Sequence, residues 1–115
     1  MSTIRTVPAV FTSSTTSGAI DLGSDTLVGV ELPSGFQGTS LKFQGSNDNA
    51  TFQDVYGLNE GVATPYTSIQ IDVVVAASKS YTFKADFLAG FRWIKLVAGS
   101  GSYTVNCFCR SMGGR

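Results

Sequence analysis

The segment Leu41–Val55, LKFQGSNDNATFQDV, constrains the fold of this chain more than any other. Leu41 and Phe43 alternate with polar residues, the period of a strand with one face in a core. Ser46-Asn47-Asp48-Asn49-Ala50 then makes a polar turn, and a second strand leaves it with Phe52 and Val55. Near the other end, Phe91-Arg92-Trp93-Ile94-Lys95-Leu96-Val97 has the apolar weight of a central strand. A hairpin and a central strand need a second layer to cover them, which predicts a β-sandwich.

Strand signals recur between these landmarks, broken by Gly, Pro and Asn clusters. Ala19–Leu22 is short, and Leu27–Leu32 ends at Pro33-Ser34-Gly35. Thr67–Val73 puts Ile69, Ile71 and Val73 on one face, and Ser80–Lys84 puts Tyr81 and Phe83 together. Phe91–Ala98 and Tyr103–Arg110 form a last pair joined by Gly99-Ser100-Gly101-Ser102. Only Asp86–Ala89 suits a helical turn. Gly57–Tyr66, with Gly61 and Pro65, is a loop. Short strands at this spacing predict an all-β, antiparallel sandwich or jelly roll. Its expected core is Val28, Val30, Leu41, Phe43, Phe52, Val55, Ile69, Ile71, Phe83, Ile94, Leu96, Val105 and Cys107.

Residues 1–17 carry Ile4, Arg5, Val7, Val10 and Phe11, followed by the run Thr12–Ser17. Such a polar tract buries little, so an extended arm is expected ahead of a single domain at 18–115. On that reading a chain lacking residues 2–16 still folds.

Composition narrows the functions. Eight basic residues balance eight acidic ones and only 14% of the chain is charged, so no field draws in nucleic acid or anionic lipid. A surface so poor in charge favours a subunit that ends in an assembly. No apolar run approaches ~20 residues, so no membrane span is expected. The start lacks a leader's apolar stretch, which also leaves the sequon Asn49-Ala50-Thr51 idle.

The chemistry-bearing residues are few. There is no His, which removes the common nucleophilic triad. Glu31, Asp48, Asp54, Glu60 and Asp72 include no pair that spacing brings together for glycoside hydrolysis. No enzyme activity and no cofactor are expected. Cys107 and Cys109 share a strand face about 6.7 Å apart, with parallel side chains ill-suited to a disulfide. They read as reduced, buried hydrophobes, and a metal site lacks further ligands. Asn47-Asp48-Asn49 suits a hydrogen-bonded turn, with calcium the sharper alternative. If Ile94 and Leu96 face inward, Trp93, Lys95 and Val97 face out. Trp93 is then either a contact platform or is covered by its own chain.

The run F-Q-G-S-N-D-N-A-T-F-Q-D-V, followed by F-R-W-I-K-L, resembles the discoidin and galactose-binding-like jelly rolls. Those carry an S-x-D-G-x-x-F/W hairpin before a late aromatic-basic-aliphatic strand. Here Asn49 replaces the hairpin Gly, and Asn accepts left-handed angles. Leu22-Gly23, Leu27–Pro33, the Ser46–Val55 hairpin and Asp86–Leu96 are closer still to small proteins encoded among the virion genes of tailed bacteriophages. The likeness covers about residues 18–99.

The resemblance implies a virion structural protein, made in the host cytoplasm, that decorates or cements a capsid. Its partners are capsid protein subunits and further copies of itself, with a trimer the natural guess. Interface candidates are Ile4, Arg5, Val7, Val10, Phe11, Trp93 and Lys95. The alternative is a glycan-binding module for host adsorption, using Asn47, Asp48, Tyr56 and Tyr66.

Overall fold

A computed structural model describes residues 4–59, 67–70, 72–83, 88 and 90–111. The strands are β1 (Arg5–Thr16), β2 (Ile20–Asp21), β3 (Asp25–Glu31), β4 (Ser40–Ser46), β5 (Gln53–Asp54), β6 (Tyr56–Asn59), β7 (Thr67–Gln70), β8 (Asp72–Val74), β9 (Ser80–Thr82) and β10 (Trp93–Ser111). No helix occurs among the described residues, and every strand pairing is antiparallel. Among the described residues β6 and β7 pair only with each other, and the other eight strands form one curled sheet in the order β5-β4-β10-β3-β9, with β1 and β2 on β10 and β8 on β4.

β10 organises the sheet. Laid straight, its 19 residues would exceed the molecule's longest dimension of 41 Å, since each residue advances about 3.3 Å. The strand therefore bends sharply around Gly99–Ser102. β1 and β2 bend with it: Gly18 N–H donates to the Val10 carbonyl (3.0 Å) and Ser17 N–H to the Leu96 carbonyl (2.9 Å). Before the bend, β10 pairs with β4 through Trp93–Val97; after it, β10 pairs with β3 through Asn106–Ser111. The two predicted strands at 91–98 and 103–110 are thus halves of one strand, and each half pairs with β1 or β2 rather than with the other.

The bend also switches which side chains face inward. Ile94 and Leu96 are buried on one side of it, and Tyr103, Val105, Cys107 and Cys109 on the other. β1–β2 makes the matching switch, from Ala9 and Phe11 to Ile20 and Leu22. Irregular pairing at Phe11/Ser14 and Ser14/Thr16 absorbs the change. Ser13 takes a left-handed φ of 47° there, and its N–H bonds the Ser102 hydroxyl at 2.9 Å. Ser17, 4% exposed, adds its hydroxyl to the backbone bond with Leu96. It accepts from Leu96 N–H (2.9 Å) and donates to the Gly18 carbonyl (2.8 Å).

Residues 1–17 were expected to form an arm. Residues 5–16 are instead a strand of the sheet, with Ala9 and Phe11 in the core. The reason is local: Phe11 stacks on Tyr103 with ring centroids 4.5 Å apart, and β10 offers a full partner edge from Tyr103 to Cys109. Phe11 is therefore unavailable as an interface residue, and Val7 packs partly against the core.

Other core assignments also need revision. Leu27 is buried and Val28 only partly so, because the β3–β10 register shifts between Phe108 and Cys109 and moves Val28 out of phase. Phe52 is half-buried, and Phe83 packs on the core from its margin, edge-on to Phe43. The side chains of Ile69 and Ile71 lie outside what is described, as does the suggested helical turn at Asp86–Ala89 apart from Leu88. The remaining expected residues are buried. Both cysteines are free, and burial pushes their thiols above the ordinary range, which keeps them unreactive.

Candidate functional site

The hairpin turn after β4 and the residues entering β10 meet at one corner. Gly45, inside β4, lies beneath the Phe91 ring: a Cβ added there would sit 2.5 Å from it. Glycine in a strand interior is a readable sign of such close approach. The Asn47 side chain ties the two segments together, donating to the Gly90 carbonyl (3.0 Å) and accepting from Arg92 N–H (2.9 Å). An amide that makes both bonds positions the loop; it has little left for a ligand.

Arg92 follows. Its guanidinium lies over the Trp93 ring, 4.4 Å from the centroid, and grips Asp21 in a fork, Nε to Oδ1 at 3.0 Å and Nη2 to Oδ2 at 3.1 Å. These bonds hold the Asp21 carboxyl below its usual pKa and raise that of Arg92. Trp93 does face out of the core, as expected, but its own neighbour occupies its ring. Lys95 is also engaged, with Nζ 4.4 Å from the centre of the Phe52 ring. Arg5 spans from β1 to the end of β2, bonding the Asp21 and Leu22 carbonyls and, at 3.1 Å, the Asp25 carboxylate.

Asp48 organises its own turn. Oδ1 accepts from the N–H groups of Ala50 and Thr51 (2.9 Å each) and from the Ser46 hydroxyl (2.7 Å). Asn49 sits at φ 57°, the left-handed region expected of it. The bonds from Thr51, Ser46 and Ala50 depress the Asp48 carboxyl to about 2. A depressed acid contributes stability that is present above its unfolded value and lost as pH falls through its folded value. Asp48→Asn should therefore melt lower than the parent at pH 7, and the gap should close near pH 2. Thermal melts across that range check this, and a gap independent of pH would contradict it.

Two shallow clefts flank Asn47. One, about 220 Å3, is lined by Gly23, Ser24, Asp25, Asn47, Gly90, Phe91 and Arg92. The other, about 370 Å3, is lined by Phe91 and Gly45 together with Ser46, Asn47, Asp48, Thr51 and Gln53. An aromatic ring lining a cleft beside the Gln53 amide and the Thr51 hydroxyl suits a polyhydroxylated ligand. Tyr56 is 56% exposed, and Tyr66 lies outside the described residues. Sequence reasoning named Asn47 and Asp48 as hairpin-turn and glycan-binding candidates but not Asp21, Phe91, Arg92 or Gln53, and only the fold brings these residues together.

Among the described residues no three Cys, Asp or Glu side chains gather as metal ligands. Among the described residues two further acids are also bonded internally: Gln44 donates to Asp54 (3.2 Å) and Asn106 to Glu31 (3.2 Å). No family model, no curated protein and no solved structure matches this chain.

Proposed function

We propose that this is a non-enzymatic structural protein of a virion, a decoration or cement subunit that bridges capsid subunits. The carrying observation is how its surface groups are used. The carboxylates of Asp21, Asp25, Asp48, Asp54 and Glu31 are hydrogen-bonded within the molecule, while Ile4 (54% exposed), Val10 (49%) and Val74 (81%) stay in water. Acids committed to internal bonds stiffen the subunit, and exposed aliphatic side chains supply apolar area that a contact with a neighbour would bury. The virion setting rests on the resemblance of the Ser46–Val55 hairpin and the Asp86–Leu96 segment. The β10 bend, which carries β3 on one half and β4 on the other around one core, supports a sandwich of jelly-roll type.

On this reading the contact residues are Ile4, Val10 and Val74, with the outer face at Trp93 and Lys95. Purified virions should contain many copies per shell by imaging and quantitative mass spectrometry. Val10→Glu with Val74→Glu should leave the fold intact and remove attachment. Absence from virions, or substrate turnover by the purified protein, would overturn the proposal.

The cleft lined by Phe91 favours one second reading, a glycan-binding module. Its aromatic surface is Phe91, because Arg92 covers Trp93. Saturable binding on a glycan array, lost in Gln53→Ala, is the outcome that would replace attachment to shells.

A further inference from the structure

β1 is the longest strand with an unpaired side. From Arg5 to Ala9 it pairs with β10 along one edge, and among the described residues no strand covers the other. β9 and β5, at the two ends of the strand order, are three and two residues long. The direction of the backbone groups on β1 follows from two facts. The Val10 carbonyl accepts from Gly18 rather than from β10. Pro8 has no N–H to give, so it fits only where a β10 partner is not required. Groups alternate along an antiparallel strand. Arg5, Val7 and Ala9 therefore bond β10, while Ile4, Thr6 and Pro8 turn their groups to the free side.

We propose that this edge pairs with the same edge of a second copy, antiparallel, about a two-fold axis at Thr6. In that register Thr6 N–H and carbonyl exchange bonds with Thr6 of the other copy, and Ile4 N–H reaches the opposite Pro8 carbonyl. Every free N–H from Ile4 to Pro8 is then used, and only the Ile4 carbonyl, facing a proline, lacks a donor. Registers centred further along the strand run into Gly18, which already occupies the edge at Val10.

The side chains agree. Thr6 meets Thr6, a favourable cross-strand pair, and exposed Ile4 meets exposed Pro8. Arg5 lies opposite Val7 and is held by its own Asp25, so no like charges face each other. A chain with zero net charge adds no long-range repulsion between copies. An isologous edge closes at two copies and makes one continuous sheet across the pair. This pairing is independent of attachment to any shell: a dimer that ignores capsids leaves it standing.

Sedimentation of the full chain over a wide concentration range tests the pairing. The parent should show a monomer–dimer equilibrium. Thr6→Pro removes an N–H that the subunit does not use and should weaken the dimer by about tenfold or more, with the melt little changed. Pro8→Thr, which restores a donor, should tighten it. A parent that stays monomeric throughout, or a Thr6→Pro dimer as tight as the parent's, overturns the inference. Should Thr6→Pro fail to fold, amide exchange of the parent decides: Thr6 and Ile4 must slow as concentration rises, and unchanged rates overturn the pairing.

Discussion

A chain lacking residues 5–16 is expected to show no cooperative unfolding transition, by circular dichroism or by denaturant titration. The deletion strips β10 of its partner from Tyr103 to Cys109 and leaves that backbone edge open. It also removes Ala9 and Phe11, both at most 1% exposed, and with Phe11 the ring stacked on Tyr103. Truncating a buried Phe to Ala costs about 3–5 kcal/mol by itself, out of a typical total of roughly 5–15 kcal/mol. Losing a strand as well leaves no margin. Phe11→Ala gives the graded version of the test, a loss of about 3–5 kcal/mol with the fold retained. A truncated chain that melts cooperatively near the parent temperature would restore the arm reading.

Gly99→Ala should be the most damaging of the small substitutions, at about 3 kcal/mol. A Cβ at Gly99 would lie 2.6 Å from the Gln37 carbonyl carbon, 2.7 Å from its oxygen and 2.8 Å from Gly38 nitrogen. All three are backbone atoms, which cannot swing aside as a side chain can. Relief would separate Gly99 N–H from the Gln37 carbonyl, now bonded at 3.0 Å, at the bend of β10. Gly35→Ala is the control: a Cβ there meets nothing within 4 Å. Chemical denaturation of the two variants should place Gly35→Ala near the parent and Gly99→Ala well below it. Equal stabilities would show that the bend relaxes freely.

The sequence was legible where alternation ran undisturbed. Leu41 with Phe43, Ile94 with Leu96, and Val105 with Cys107 were each placed inside by period alone. So was the hairpin, whose Gln44 pairs with Asp54 across the turn. Irregular pairing hid the rest. One register shift in β3 exchanged Leu27 for Val28, and the Gly99–Ser102 run looked like a turn because its bend is made jointly with a distant strand. The polar tract Thr12–Thr16 reads as an arm for the same reason: its partner lies at the far end of the numbering. Phe36 is buried from a loop, edge-on to Tyr103, where no periodicity could announce it. At the corner site, the approach of Gly45 to Phe91 emerges only from the fold, and nothing in the sequence pairs Asn47 with Arg92 or Arg92 with Asp21.

The pairing of β1 with β10 joins Arg5 to Cys109 and Phe11 to Tyr103. Closing so large a loop has an entropic cost before any contact compensates for it, so assembly waits on the most distant meeting in the chain. During synthesis, the first strand must remain without its companion until residues 93–111 have emerged from the ribosome. Its aliphatic side chains are then open to other nascent copies, and Pro8, which cannot donate to a passing strand, stands in the middle of that vulnerable stretch.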